Sequence, residues 1–331
     1  MSQKIFITGG SGCIGHHIVE DLLKNPELEL HLLCRDQARF KVPGIQTHPN
    51  VTFHAGSMET IETLKPVLQE MDHLIHIATE WGDYEHTVHI NVNKTLDMLN
   101  SLNSKKIQRI MYFSTASILG NSTSTTKAAE TEGTPYVRSK YRAYQSICKH
   151  PLRDKVVSIF PTTVWGATKN YPKSHLSEGI PTGLNYVNVL KWFYFDAAFH
   201  LMHAKDISKV CIGAMLTDDT SLFKQFAKTP NLHQGIVVGQ PVITERQAVK
   251  VFCQVLRKKQ WFQIKIPHWF IFLLLKIFRI QLAPWDRYCI NNPFFSYTCI
   301  RPEDLRLTSS YPNLESVVKE ALVASETPTT K

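Results

Sequence analysis

The feature that most constrains the fold of this chain is a glycine-rich turn close to its start. An apolar run over 4–8 leads directly into Thr8-Gly9-Gly10-Ser11-Gly12-Cys13-Ile14-Gly15, and a helical pattern begins at Gly15. In such a turn one glycine adopts a positive φ, a second lets backbone N–H groups approach a pyrophosphate, and a third lets the helix pack closely on the strand. The partial positive charge at the helix N-terminus also attracts phosphate groups. The turn therefore predicts a dinucleotide site, and the alternative is a loop that is merely tight.

The first half of the chain alternates short β-branched runs with helical patterns. The runs predict strands over 4–8, 29–34, 51–55, 73–77, 109–114 and 155–160. The patterns between them predict helices over 15–24, 61–69, 91–103 and 135–150. This order is typical of a parallel sheet with helices on both faces. Together with the glycine turn it predicts an α/β chain of the Rossmann type, with a doubly wound parallel sheet.

The pattern changes after Gly166. Prolines and glycines between 169 and 184 predict a loop there, whereas 206–216 reads as a helix and 235–238 as a strand. A helix-rich tail follows from Thr244. We therefore expect two units: an NAD(P)-binding domain over 1–166, to which 204–240 return, and a smaller C-terminal substrate-binding lobe over 167–203 and 241–325.

Charge and cysteine content restrict the partners. The 331 residues include 37 Lys and Arg against 28 Asp and Glu, a net charge of +9, which favours anionic ligands such as phosphorylated cofactors. The basic residues are scattered, which argues against nucleic-acid binding. The seven cysteines are widely spaced and form no C-x-x-C, which argues against a disulfide framework or a zinc site. Reduced thiols and the lack of a signal-peptide pattern predict a cytoplasmic protein.

One apolar run, over 268–278, stands out in the second half. Lys276 interrupts it, and it falls short of the roughly 20 apolar residues of a membrane-spanning helix. It predicts a buried helix of the second lobe. Peripheral contact with lipid, or a wall for an apolar substrate, remains as an alternative.

The end of the second strand bears on the choice of cofactor. NAD-binding chains place an Asp or Glu there to bind the ribose hydroxyls. Here the sequence reads Leu33-Cys34-Arg35-Asp36. Arg35 can meet a 2′-phosphate and so favours NADP, although Asp36 could still serve NAD and Arg35 could be a solvated surface cation.

Tyr136 and Lys140 lie four residues apart in the predicted helix over 135–150, and so on one face of it. A phenol is a poor base at neutral pH, but a nearby ammonium lowers its pKa. Tyr136 could then take a proton from a substrate hydroxyl or give one to a carbonyl. At the end of the fifth strand, a hydroxyl of Ser114 or Thr115 could hold the substrate oxygen. The alternatives are a surface pair and a turn or capping hydroxyl.

Taken together, the glycine turn, Thr115 and the Tyr136/Lys140 pair resemble the short-chain dehydrogenase/reductase superfamily. More narrowly, the chain resembles its extended branch, the NAD-dependent epimerase/dehydratase family. Further stretches resemble segments of that family: Asp72–Thr79, Asn91-Val92-Asn93-Lys94-Thr95, Pro161-Thr162-Thr163-Val164-Trp165-Gly166, His203–Ile207 and Tyr311–Glu315.

The resemblance implies a catalytic set of Thr115, Tyr136 and Lys140, in which Lys140 also holds the nicotinamide ribose. Thr115 is chosen over Ser114 because of its distance from Gly120. The implied cofactor-binding residues are Thr8, Gly9, Gly12, Cys13, Ile14, Gly15, Arg35, Ile77, Ala78, Thr79, Asn91, Lys140, Pro161, Thr163 and Val164.

The resemblance also narrows the reaction. Ala116-Ser117 follow Thr115, where sugar-nucleotide 4,6-dehydratases have an Asp-Glu pair, which argues against such a dehydratase. The leading interpretation is an oxidoreductase that acts on a secondary alcohol or ketone, favoured by Arg35 and by the aromatic, apolar second lobe. The alternatives are a nucleotide-sugar epimerase with retained NAD and a non-catalytic NAD(P)-sensing protein. Family members are often dimers, through helices near Leu96 and Tyr144.

Three other groups of residues are weighed. His200 and His203 have the spacing of metal ligands on a helix, but no third ligand is evident, so packing is favoured and no metal is expected. His16 and His17 could touch a phosphate or be ordinary helix positions. Trp81 lies in the loop after the fourth strand, where it could cover a substrate.

Overall fold

The computed structural model describes residues 2–120, 124–166, 170–223, 234–267, 269–270, 272 and 281–325. Seven parallel strands form its central sheet. Their bounds are β1 (Gln3–Thr8), β2 (Leu28–Cys34), β3 (Val51–Ala55), β4 (His73–His76), β5 (Arg109–Phe113), β6 (Val156–Pro161) and, far along the chain, β11 (Gly235–Val238). The order β11-β6-β5-β4-β1-β2-β3 is that of a doubly wound sheet, so the predicted Rossmann fold is confirmed.

The first-half helices are α1 (Cys13–Leu22), α2 (Lys65–Leu68), α3 (Tyr84–Val88), α4 (Thr95–Asn100), α5 (Lys127–Thr131) and α6 (Pro135–Ile147). A π-helical segment over His89–Lys94 joins α3 to α4, so this helix begins earlier than predicted. The predicted helix over 61–69 is α-helical only in α2, because Pro66 at its start cannot donate the hydrogen bond that would continue an α-helix from residue 61.

The second half contributes short strands and further helices. The strands are β7 (Thr163–Trp165), β8 (Phe193–Tyr194), β9 (Ala198–Phe199), β10 (Leu201–His203), β12 (Ile243–Thr244) and β13 (Ile264–Lys265). The helices are α7 (His175–Leu190), α8 (Ala204–Leu216), α9 (Glu245–Val255), α10 (Pro284–Asn291) and α11 (Leu314–Ser325). The predicted apolar helix over 268–278 lies outside the described residues except at Trp269, Phe270 and Phe272. Trp269 is 67% exposed and Phe270 36%, so at these two positions the prediction of a buried helix is wrong.

The loop predicted over 169–184 is wrong from His175 onward, where α7 begins. Glycine and proline weaken a helix locally, but two serines fix this one at its start. The Ser174 hydroxyl accepts a hydrogen bond from the Ser177 N–H at 3.2 Å, and the Ser177 hydroxyl accepts one from the Gly166 N–H at 3.1 Å. Tertiary contacts therefore override the local preference.

Helices cover both faces of the sheet. Ile18 of α1 and Ile207 of α8 belong to the core on one face, and Leu99 of α4 and Ile147 of α6 to the core on the other. A parallel sheet that is buried on both faces leaves the carboxyl ends of its strands to line a binding site. Among the described residues, no helix has the length and apolar character to cross a bilayer.

Candidate active site

A cleft of about 1000 Å³ lies at the carboxyl ends of the central strands. Thirteen of the sequence-predicted site residues line it: Gly9, Gly12, Cys13, Ile14, Arg35, Ile77, Ala78, Thr79, Thr115, Tyr136, Lys140, Pro161 and Val164. Four others, Thr8, Gly15, Asn91 and Thr163, are not among its lining residues. The structure therefore brings the glycine turn and the tyrosine–lysine pair into one cleft, although they lie more than a hundred residues apart in the chain.

The glycine turn is packed backbone against backbone. Gly9 has a φ of +73°, and a Cβ there would lie 2.5 Å from the Ala78 nitrogen. A Cβ on Gly15 would lie 2.2 Å from the Gly9 oxygen, so Gly15 serves close packing rather than contact with a ligand. Gly12 precedes α1 and has no side chain to cap it, so the first N–H groups of the helix can donate to a phosphate.

Thr8 and Asn91 do not line the cleft, but each hydrogen-bonds the main chain of a residue that does. The buried Thr8 hydroxyl lies 2.6 Å from His76 Nδ1 and accepts a hydrogen bond from the Ala78 N–H. Asn91, which is 2% exposed, holds the main chain of Glu80 from both sides. Its Oδ1 accepts from the Glu80 N–H at 2.8 Å, and its Nδ2 donates to the Glu80 carbonyl oxygen at 3.0 Å. A second donation from Nδ2, at 3.0 Å, reaches Ser139 of α6.

The end of β2 presents arginine rather than carboxylate to the cleft. Arg35 and Arg39 are both exposed and line it. The Asp36 carboxylate accepts a hydrogen bond from the Ala38 N–H at 2.9 Å and is not among the lining residues. Arg39 was missed by the sequence reasoning, although its position four residues after Arg35, on a short 3₁₀ turn, was a signal.

Thr115, Tyr136 and Lys140 meet at the inner end of the cleft. Thr115 begins the turn after β5, where its hydroxyl accepts from the Ser117 N–H at 3.2 Å and also hydrogen-bonds Tyr136. The Lys140 ammonium donates to the Phe113 carbonyl oxygen at 2.8 Å and lies 5.9 Å from the centre of the Tyr136 ring. Lys140 is 2% exposed, so this is no surface pair.

Burial dominates the protonation of this pair. It raises the pKa of Tyr136 to about 12, and the hydrogen bond from Thr115 partly opposes the rise. Burial also lowers the pKa of Lys140 to about 7. The sequence predicted that the ammonium would lower the pKa of the phenol, but in the protein alone burial raises this pKa instead. At neutral pH the phenol is therefore protonated.

Trp81 covers the phenol. Its indole ring lies parallel to the Tyr136 ring, with 3.7 Å between centroids and 12° between planes. The edge of the indole meets His175, at the start of α7, with 4.9 Å between centroids. Trp81 is 48% exposed and lines the cleft, so it stands where the sequence placed a cover for the substrate.

Sequence reasoning missed six further side chains that line the cleft. They come from the loop after β4 and from the segment that leads into α7: Glu80, Pro172, Lys173, Ser174, His175 and Leu176. The segment that leads into α7 was predicted as a loop without a role, because only the fold brings it into the same cleft as Tyr136 and Lys140.

Three of the four remaining histidine candidates have hydrogen-bond partners in the protein, whereas the buried Nδ1 of His17 has none among the described residues. His16 Nδ1 lies 2.9 Å from the Gly12 carbonyl oxygen, and its Nε2 accepts from the Lys41 N–H at 3.1 Å. His200 lies between the Gln240 carbonyl oxygen and the Tyr297 N–H, and His203 Nε2 lies 3.1 Å from the Glu320 carboxylate. In the part of the chain that the structure describes, no group of three metal-binding side chains occurs.

Comparison with protein families decides where the chain belongs. The model of the NAD dependent epimerase/dehydratase family matches residues 5–223, about two thirds of the chain. The chain belongs to this family. The match extends from β1 through the glycine turn and the catalytic set to α8, so the predicted membership of the extended short-chain dehydrogenase/reductases is confirmed.

One curated relative of the chain is a ketoreductase. The chain is 24% identical over 224 residues to 4-hydroxy-2-methyl-3-oxo-4-farnesyl-3,4-dihydroquinoline-1-oxide ketoreductase of Stigmatella aurantiaca, a match that covers 65% of this chain and 64% of that protein. The match thus spans just under two thirds of the length of this relative.

Two solved structures show the same fold over 98% of both chains. One is gox2253, with a TM-score of 0.70 and 17% identity. The other is UDP-N-acetylglucosamine 4-epimerase of Methanobrevibacter ruminantium in complex with UDP-N-acetylmuramic acid, with a TM-score of 0.67 and 13% identity. At these identities the likeness shows the fold alone.

Proposed function

We propose that this member of the epimerase/dehydratase family is an NADP-dependent oxidoreductase that moves a hydride reversibly at a secondary alcohol or ketone carbon. Tyr136 is its general acid and base. The observation that carries the proposal is that Thr115, Tyr136 and Lys140 line the same cleft as the glycine turn. Phenol, hydroxyl and ammonium then face one substrate carbon, where each has a distinct task.

The protonation states suit reduction of a carbonyl. Burial raises the pKa of Tyr136 to about 12, so at neutral pH the phenol holds the proton that a developing alkoxide needs. The Thr115 hydroxyl holds the carbonyl oxygen against the phenol. Lys140, with a pKa lowered to about 7, is in part an ammonium near neutral pH and holds the nicotinamide ribose. A bound nicotinamide cofactor supplies or accepts the hydride.

The chain fits such a cofactor at the glycine turn. The uncapped start of α1 offers N–H groups to the pyrophosphate, and Gly9 and Gly12 leave room for it. Cys13 and Ile14 line the same wall, as do the ends of β4 and β6 through Ile77, Ala78, Thr79, Pro161 and Val164. These residues are proposed to bind the cofactor directly, whereas Thr8, Gly15, Asn91 and Thr163 shape the site from outside the lining.

NADP is proposed over NAD because of what the end of β2 presents. The Asp36 carboxylate, which could bind two ribose hydroxyls, accepts the Ala38 N–H through Oδ1 and is not among the residues that line the cleft. Arg35 and Arg39 line the cleft at the same place. Two guanidinium groups match a 2′-phosphate and offer nothing specific to a bare hydroxyl pair.

An uncharged ketone is proposed as the substrate. Beside the catalytic set the cleft presents Trp81, Pro172 and Leu176, and its charges there, those of Glu80 and Lys173, are of opposite sign. Such a surface suits an apolar substrate better than a diphosphate. The ketoreductase relative agrees with this choice. The substrate is proposed to bind between the domain over 1–166 and the lobe over 167–203 and 241–325.

A nucleotide-sugar epimerase is the second candidate, favoured by Lys173 and His175 at the mouth of the cleft, which could meet phosphates.

A cytoplasmic location and a homodimer stay predictions. Tyr144 is fully buried, so a dimer that uses α6 would need its exposed neighbours instead.

The test uses the purified full chain. NADPH and NADH are titrated by fluorescence, and a panel of apolar ketones and sugar nucleotides is then followed by the absorbance of the reduced nicotinamide. We expect tighter binding of NADPH and turnover of ketones. Tightly bound NAD on purification, with interconversion of sugar nucleotides, would establish the epimerase instead. Cofactor binding without turnover of ketones or sugar nucleotides would support the alternative of a non-catalytic NAD(P)-sensing protein.

A further inference from the structure

Large apolar side chains are exposed together on the second half of the chain, on a surface that the cleft does not use. The short strands β8 and β13 pair in parallel, so that Phe193 lies opposite Ile264. The Ile264 N–H donates to the Trp192 carbonyl oxygen at 2.7 Å, and the rings of Trp192 and Phe262 stack with 4.7 Å between centroids. Residues 186–192, at the end of α7, and residues 257–265 thus form one surface, which we call the aromatic patch.

The exposure of the aromatic patch is high. Trp261 is 82% exposed, Phe262 56% and Ile264 52%. From the end of α7, Val189 and Leu190 are 61% and 55% exposed. Single exposed apolar residues are ordinary, but a contiguous group of this kind marks a surface that meets a partner.

The charge of the aromatic patch has one sign. Its two stretches contain five cations and neither Asp nor Glu: Lys191, Arg257, Lys258, Lys259 and Lys265. Lys265 pairs with Asp196, just outside the patch. Lys258 and Lys259 are exposed directly beside Trp261. The partner therefore combines an apolar layer with negative charge at its surface.

We propose that the aromatic patch docks on the surface of an anionic lipid bilayer. Tryptophan and phenylalanine side chains settle at the boundary between headgroups and acyl chains. Lysines beside them are attracted to anionic headgroups within a Debye length. A second copy of the chain is a poorer partner, because two such patches would bring like charges face to face.

The test measures sedimentation of the full chain with two kinds of vesicle, one of phosphatidylcholine and one that also contains phosphatidylserine. We expect binding to the second kind that weakens as salt is added. The double variants Trp261→Ala/Phe262→Ala and Lys258→Glu/Lys259→Glu should each lower the binding constant at least about tenfold. All four positions are exposed, so the variants should keep the fold, which far-UV circular dichroism and urea unfolding check.

The matched control is Lys105→Glu/Lys149→Glu, which makes the same change in net charge at two exposed lysines elsewhere. It should bind vesicles nearly as the wild type does. An equal loss in this control would show that net charge alone acts and would overturn the docking surface. Absence of sedimentation with either vesicle would overturn it too, as would a dimer that Trp261→Ala/Phe262→Ala dissociates in a chain that does not bind lipid. None of these outcomes depends on the proposed reaction.

Discussion

Replacing Asn91 by alanine should loosen the loop that carries Trp81. The buried amide of Asn91 makes four hydrogen bonds. Two join it to the main chain of Glu80, one donates to the Ser139 hydroxyl, and in the fourth its Oδ1 accepts from the Thr79 hydroxyl at 3.2 Å. A hydrogen bond contributes about 1 kcal/mol net. Water can replace part of the set at Glu80, so the loss should be about 3 kcal/mol of the free energy of unfolding.

The assay is urea unfolding followed by tryptophan fluorescence, alongside kcat/KM for ketone reduction. We expect a lower urea midpoint and a fall in kcat/KM of about tenfold, since a looser Trp81 no longer holds the Tyr136 ring in one place. NADPH affinity should fall less than kcat/KM, because Asn91 does not line the cleft and reaches the proposed cofactor site through Thr79 and Glu80.

Two further variants sharpen the result. Asn91→Asp keeps the two accepting bonds but sets a buried carboxylate oxygen against the Glu80 carbonyl oxygen, so it should destabilise the protein at least as much as alanine does. Asn93→Ala removes an exposed amide from the same helical segment and should leave stability within about 0.5 kcal/mol. If Asn91→Ala were as stable as Asn93→Ala, the support assigned to this amide would be refuted.

Three more predictions concern the cleft. Tyr136→Phe should lower ketone turnover by a factor of about 10² to 10⁴ while the dissociation constant of NADPH, from fluorescence titration, stays the same; full turnover would exclude Tyr136 as the acid. Arg35→Glu should weaken NADPH far more than NADH, whereas the exposed Arg153→Glu should affect neither; equal weakening of both cofactors by Arg35→Glu would remove the case for a 2′-phosphate site. Trp81→Ala should hydrate the phenol and lower its pKa from about 12, because burial is what raises it. Reduction needs the protonated phenol and is lost as pH rises through this pKa, so the basic limb of the pH–rate profile should move to lower pH; an unmoved limb would show that the indole does not shield the phenol.

The fold could be predicted largely because its signals are local. In the glycine turn, residue 9 adopts a positive φ and residue 15 packs against the Gly9 carbonyl oxygen, and glycine is the residue that fits both positions. The end of β2 and the Tyr136/Lys140 pair are likewise short stretches, and their residue types alone allowed a function to be predicted for each.

What the sequence missed depends on distant contacts. Cofactor binding by Asn91 stays a prediction, and only the folded chain shows that its amide hydrogen-bonds the main chain of Glu80. The start of α7 is fixed by hydrogen bonds from Gly166 to Ser177 and from Ser174 to Gly166, so local glycine and proline content misled the prediction. The pKa of Tyr136 could not be predicted from a neighbouring lysine alone, because burial acts on both groups.

The hydrogen bonds between Asn91 and Glu80 have a consequence for how the proposed activity can diversify. Its two bonds to Glu80 reach main-chain atoms only, so the path of the loop is set without reference to the side chain that comes next. Position 81 can therefore be exchanged among large and small residues while the backbone stays in register over the catalytic phenol. A library confined to this one codon should alter which ketones the proposed reductase accepts, together with the pKa of Tyr136 beneath residue 81, and leave the fold intact.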